Sequence, residues 1–132
     1  MNKYKIIVQE ILKIEGNSNW PEIVFNSTTG NLSMVGRSIV ENAIRFYDPI
    51  LDWVKDYCKN PAEKTEFHIK LEYFNTSTSK YILSIIDKLS MLHDNGNSVE
   101  VYWYSIDEDM EELGEDYKAM IDVPFKLLEL TM

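Results

Sequence analysis

Four consecutive hydroxyl residues, Thr76-Ser77-Thr78-Ser79, stand between Asn75 and Lys80. Such side chains can accept hydrogen bonds from the first N–H groups of a helix, and they can also carry a phosphate ester. In the stretch before them Phe67, Ile69, Leu71 and Tyr73 alternate with His68, Lys70 and Glu72, which predicts a strand. The stretch after them spaces Ile82, Ile85, Ile86, Leu89 and Leu92 as one face of a helix. The run therefore marks a strand-to-helix junction, where N–H groups converge and the helix dipole is positive. Spacing alone leaves two readings open: a helix cap with spare hydroxyls, or a phosphoacceptor.

Other candidate chemistry is thin. The two histidines are His68, on the polar face of the predicted strand, and His93, near a helix end where the dipole favours it. No Gly-x-Ser-x-Gly, Walker loop or dinucleotide fingerprint is present, and the five glycines are scattered at turns. Asp107 to Asp116 is rich in carboxylates, but neither register of an EF-hand loop fits. Counting from Asp107 puts Glu112 at the sixth position and Lys118 at the twelfth; counting from Asp109 gives Gly114 but then Met120. A solvated helix face is expected there, with no metal and no cofactor. Cys58, the single cysteine, reads as a packing residue rather than a nucleophile. Tyr102 and Tyr104, beside Phe74, read as ordinary sheet packing ahead of a modest interaction patch, with Trp103 and Val101 in the core. Catalysis by this chain is not expected.

The elements that must position the hydroxyl run follow from size and pattern. At 132 residues one domain spanning 1–132 is expected, with residues 1–19 a less certain N-terminal arm. A formal charge of −9 disfavours nucleic acid and anionic membranes. The apolar run near Met1 is too short for a signal peptide, no stretch is long enough to span a membrane, and a lone cysteine suits a reducing compartment. A cytoplasmic location is therefore expected.

Residues 11–14 and 22–25 read as strands, and Thr28-Thr29-Gly30-Asn31 turns the second back into Leu32 to Val35 as a hairpin. Ser38 to Glu41 fits a capping box for a helix with a stripe of Val40, Ala43, Ile44, Tyr47, Leu51 and Val54. Pro49 inside it predicts a kink or two abutting helices, with Asp48 as a second cap. Asn95-Gly96 stops the next helix, Val99 to Tyr104 is a further strand, and Val123 to Leu128 a last one. Between them Leu113, Tyr117 and Met120 form a weak helical stripe. Strand, helix, strand at this spacing makes a parallel, right-handed crossover, with the hydroxyl run at the carboxyl end of its first strand. The fold class expected is α/β (α+β): a single mixed sheet, an N-terminal hairpin, and helices mainly on one face.

Residues 71–80, Leu-Glu-Tyr-Phe-Asn-Thr-Ser-Thr-Ser-Lys, closely resemble the central motif of the SiaC family of bacterial regulatory phosphoproteins. Gly36-Arg37-Ser38 with Glu41-Asn42-Ala43, Phe46 to Trp53, Val101 to Tyr104, Asp109 to Tyr117 and Val123-Pro124-Phe125 agree with the family in order and spacing, over roughly residues 20 to 128. The resemblance implies a STAS-like partner switch, analogous to the anti-sigma-factor antagonists. A dedicated serine/threonine kinase would phosphorylate the threonine of the Asn-Thr-Ser motif, which is Thr76 here, with Ser77 the runner-up. A metal-dependent phosphatase would reset it, and the unphosphorylated form would bind and activate an effector such as a diguanylate cyclase, favouring biofilm growth through cyclic di-GMP. Asn75, Thr76, Ser77 and Lys80 would form the partner-binding surface. The competing expectation is a constitutive binding module whose hydroxyl run only caps a helix; a metal-dependent enzyme using the acidic segment is a third.

Overall fold

The computed structural model describes residues 10–130, so the reading of the apolar run near Met1 and residues 1–9 of the N-terminal arm lie outside the described residues. Six strands form one sheet in sequential order: β1 (Ile11–Ile14), β2 (Glu22–Asn26), β3 (Asn31–Ser38), β4 (Lys64–Phe74), β5 (Ser98–Ser105) and β6 (Phe125–Glu129). The first three pair antiparallel, and β3 through β6 pair parallel. A parallel neighbour requires a crossover, and three helices supply them: α1 (Ala43–Tyr57), α2 (Thr76–Asp94) and α3 (Glu108–Met120). All three helices consequently begin at the carboxyl edge of the sheet. This is the mixed α+β sheet with an N-terminal hairpin that the pattern predicts. Among the described residues no helix is long and apolar enough to cross a membrane.

One sheet face carries the core. Ile23, Phe25, Leu32, Met34, Phe67, Ile69, Val101 and Trp103 are fully buried against Tyr47, Ile50 and Val54 of α1 and Ile82, Ile85 and Leu89 of α2. Each large side chain so buried contributes about 1.5–3 kcal/mol. The α2 stripe is the one its spacing predicts. The α1 stripe is rotated: Ile44 is 65% exposed, while Ile50, Trp53 and Tyr57 point inward. The helix start also differs from the predicted one. Ser38 is the last residue of β3 rather than a cap, and Asn42 caps instead, its Oδ1 accepting from the Arg45 N–H at 3.2 Å. Pro49 does not divide α1, which runs unbroken past it, and Asp48 accepts a hydrogen bond from the Tyr81 hydroxyl rather than capping anything.

In α3 the buried residues are Met110, Gly114 and Tyr117, whereas Leu113 and Met120 face solvent, contrary to the predicted stripe. Gly114 is what allows this. A Cβ there would stand 2.6 Å from Trp103 Cδ1 and 2.8 Å from Leu127 Cδ2, and the Trp103 indole N–H donates to the Met110 carbonyl at 2.9 Å. Gly114→Ala is expected to lower unfolding free energy by about 1–3 kcal/mol through overpacking, read as an earlier urea midpoint with an unchanged slope.

The opposite sheet face is open and polar. Glu100 receives Lys64 and Lys126, each at 2.7 Å, and the Tyr102 hydroxyl at 3.0 Å. These bonds, that of Lys126 foremost, hold its carboxyl at about 2. A depressed folded-state pKa stabilises the fold above the ordinary carboxylate range, and that contribution is lost as pH falls toward 2. Acid titration of Glu100→Gln is therefore expected to show a shallower loss of stability between about pH 4.5 and 2 than the parent. His68 sits here too, stacked on Tyr102 at 4.5 Å and hydrogen-bonded to Glu66 and the Tyr104 hydroxyl. The tyrosines of the predicted patch are thus half-buried neighbours of His68, and Phe74 is on the other face, packed against Trp103.

Candidate functional site

The hydroxyl run is aimed by an irregularity at the end of β4. Gly36 pairs with Leu71 but Arg37 pairs with Tyr73, so Glu72 has no opposite number. Gly36 has φ +125°, a conformation that favours glycine. An extra residue in one strand reverses the side-chain phase beyond it. Alternation therefore holds through Leu71 and then inverts: Tyr73, predicted inward, is 52% exposed, and Phe74 turns into the core against Trp103 and Tyr117.

Asn75 anchors the junction. Its backbone N–H donates to the Ser38 carbonyl at 3.0 Å and its amide nitrogen to the Val40 carbonyl at 3.3 Å. Its Oδ1 accepts from the Thr78 N–H at 3.0 Å and from the Ser77 hydroxyl at 3.1 Å. Asn75 is thus the N-cap of α2, and Thr76 is its first helical residue.

The four hydroxyls have four different environments. Thr78 is fully buried, its Oγ1 2.7 Å from Ser38 Oγ, which lies 2.6 Å from the Tyr47 hydroxyl. Ser79 is hydrogen-bonded to the Tyr117 hydroxyl of α3. Ser77 is half-buried and donates to Asn75. Thr76 is exposed and its hydroxyl has no hydrogen-bond partner among the described residues. Lys80, one turn further on, is exposed and makes no ion pair among them. The first N–H groups of α2 have no intrahelical acceptor, and no acidic side chain stands in its first turn. In α3, by contrast, Glu108, Asp109 and Glu111 occupy that position. The positive end of α2 is uncompensated beside a free hydroxyl, which suits a phosphate ester.

Ser77 and Lys80 also line a groove of about 500 Å³ between α1 and α2, with Ile44, Leu51 and Tyr81. The exposed apolar side chain of Ile44 therefore belongs to this corner, a place its predicted burial does not give it, whereas Tyr73 is exposed on the opposite sheet face. The adjacent aromatics Tyr73-Phe74, which cannot share a strand face in regular alternation, were the available signal for Tyr73. The other predicted site residues come together here: Thr76 and Ser77 at the start of α2 and Lys80 one turn further on, with Asn75 as the capping residue that fixes their place.

Comparison with known proteins gives consistent matches. The profile of the SiaC family, described as regulatory phosphoproteins, matches residues 14–130. An uncharacterized protein of Pseudomonas aeruginosa (strain UCBPP-PA14) is 30% identical over 118 residues, covering 88% of this chain and 94% of the relative. Among solved structures, apo-SiaC from Pseudomonas aeruginosa superposes with a TM-score of 0.84 at 30% identity, covering 89% of this chain and 98% of that one. SiaC in the crystal structure of the diguanylate cyclase SiaD with its activator superposes with a TM-score of 0.85, again at 30% identity, covering 90% and 99%.

Proposed function

The chain belongs to the SiaC family of regulatory phosphoproteins, and we propose that it is a non-enzymatic partner switch whose phosphoacceptor is Thr76. In this reading a dedicated serine/threonine kinase modifies Thr76, a metal-dependent phosphatase resets it, and the unmodified form binds and activates an effector. A diguanylate cyclase is the effector class, because the related SiaC is the activator of the cyclase SiaD. Among the four hydroxyls of the run, Thr76 alone is both exposed and without a hydrogen-bond partner among the described residues, and this observation carries the assignment.

Accessibility matters because a kinase must bring the hydroxyl in line with a γ-phosphoryl group. Thr78 would have to leave the core first. Ser77 would have to give up its bond to the capping Asn75. Once formed, the ester on Thr76 meets free N–H groups and the helix dipole, worth about 0.3–1 kcal/mol, so the fold tolerates it. Lys80 supplies a nearby cation, and Ile44 supplies apolar contact area for the unmodified form.

Phosphosite mapping of the protein from its native host tests the assignment. Modification is expected at Thr76; its absence from residues 75–79 under every growth condition would sink the reading. The rival reading is a constitutive binding module whose run only caps the helix, a cap that Asn75 supplies. Thr76→Ala is accordingly expected to leave stability within about 0.5 kcal/mol of the parent, measured by urea unfolding.

A further inference from the structure

The open sheet face has no place in the switch. The three helices pack on the other face, and no described helix covers this one. Antiparallel sheets often leave one face to water, but parallel strands nearly always have both faces covered. Here β3 through β6 pair parallel. The open face also holds apolar surface. Of the eight large apolar side chains exposed among the described residues, Ile11, Val35, Tyr73 and Leu128 lie on it. Solvation accounts for the ion pairs of Glu100 with Lys64 and Lys126. It does not account for half of the exposed apolar set, and a face of this kind calls for a cover.

Charge selects the cover. Five basic residues, Lys13, Arg37, Lys64, Lys70 and Lys126, share the face with four acidic ones, Glu22, Glu66, Glu72 and Glu100, a net charge of +1. The whole chain carries −9, which leaves −10 elsewhere. Two copies repel when their other surfaces face one another, whereas two open faces meet near neutrality. The signs are also ordered along the strands. Glu66 pairs in register with Glu100, His68 with Tyr102, and Lys70 with Val35, so Glu66 and Lys70 lie equally far on either side of His68. A two-fold axis through the His68 row, perpendicular to the strands, lays Lys70 of one copy over Glu66 of the other. Lys70 forms no ion pair among the described residues; it reaches only the Tyr104 ring, at 4.8 Å. Glu66 holds His68 at 2.9 Å and Lys64 at 3.4 Å, and a carboxylate has acceptor sites for more.

We infer that the open sheet face is a homodimer interface, on which a second copy of this chain packs face to face with its strands reversed and its Glu66 under Lys70. Six strands make the face about 24 Å wide and about 20 Å tall, so two copies bury about 1,000 Å², the scale of a reversible dimer. The contact is isologous and closes on itself. The groove between α1 and α2 lies on the other side of the sheet and stays open in both copies. The inference does not rest on modification of Thr76.

Sedimentation equilibrium of the full chain between about 5 and 500 µM, the range that suits so small an interface, tests this. The mass should rise from 15.5 kDa toward twice that value. Lys70→Glu and Glu66→Lys should each weaken association at least about tenfold, because each sets like charges face to face. An equimolar mixture of these two variants should associate at least as tightly as the parent, since opposite charges then meet at both contacts. Leu128→Glu should weaken association about tenfold. Met120→Glu, exposed outside the face, and Thr76→Ala should leave it unchanged, so this result stands or falls apart from the switch. Urea midpoints check that each variant is folded. A chain that stays monomeric throughout, growth beyond a dimer, or a mixture no tighter than its two components would overturn the interface. Association that begins only when residues 1–9 are removed would overturn it too, with that segment as the cover instead.

Discussion

Phosphothreonine installed at position 76 is expected to weaken binding to the effector by about two to three and a half orders of magnitude while the protein stays folded. The magnitude follows from where the charge goes. In the free protein the ester carries about −1.5 to −2 charges into solvent, beside open N–H groups and Lys80, and costs the fold nothing. Under a partner the same group is desolvated without a designed counter-charge. Leaving a buried charge uncompensated costs roughly 3–5 kcal/mol, and each 1.4 kcal/mol is a factor of ten in affinity. Titration calorimetry of the unmodified and phosphorylated chains against the effector measures this directly. Thr76→Ala should bind like the unmodified form and be insensitive to kinase and phosphatase. A phosphorylated chain that binds within threefold of the parent would refute the switch, because no useful population shift follows from so small a difference.

Lys80 sets a secondary expectation in the same experiment. If its ammonium helps hold the ester in the free protein, Lys80→Ala lowers the melting temperature of the phosphorylated form and not of the unmodified one. Because both side chains are exposed, the difference is small, at most about 1 kcal/mol.

Much of this corner is legible in the residues, and the limits have physical causes. Regular periodicity carried β2, β3, α2 and β5, where side chains alternate or recur without interruption. The strand-to-helix junction at Asn75 was visible for the same reason, since an alternating run ends and a helical stripe begins. What periodicity does not encode is a one-residue insertion. The unpaired Glu72 inverts the phase of everything after it, so Tyr73 and Phe74 exchange faces. The start of α1 failed differently. Ser38 and Glu41 have the right types for a capping box, but Ser38 is held in the sheet, and its hydroxyl bonds Thr78 and Tyr47 in the core. Nothing local distinguishes a capping serine from a strand-end serine whose partners lie 9 and 40 residues away. In α3 the spacing favours the apolar Leu113 and Met120, yet only a residue without a side chain fits over Trp103. Within the hydroxyl run, residue types are degenerate. Tertiary structure separates them, and the family resemblance pointed to the same threonine that exposure does.

Thr78→Glu is expected to abolish folding, whereas Thr76→Glu is expected to leave it intact, although the two threonines are two residues apart. Thr78 Oγ1 lies in a closed chain of hydroxyls with Ser38 and Tyr47, all three residues fully buried. That chain ties α2 to the end of β3 and to α1. Burial raises the Tyr47 hydroxyl above its ordinary pKa, the mark of a site that disfavours negative charge. A carboxylate there has no cation to pair with and must be desolvated, at an effective cost of several kcal/mol per ion, comparable to the whole stability of a domain of about 5–15 kcal/mol. Thr78→Val makes the milder version of the experiment, since it keeps the shape and removes only the hydroxyl. It leaves Ser38 Oγ short of one partner and should cost about 1–3 kcal/mol, read as a lower urea midpoint. Circular dichroism and soluble yield report on the two Glu variants. A folded, stable Thr78→Glu chain would remove burial as the reason for choosing Thr76. The contrast explains why a run of four hydroxyls can serve two ends at once: Thr78 and Ser79 hold the helix in place, and Thr76, two residues before Thr78, is left exposed.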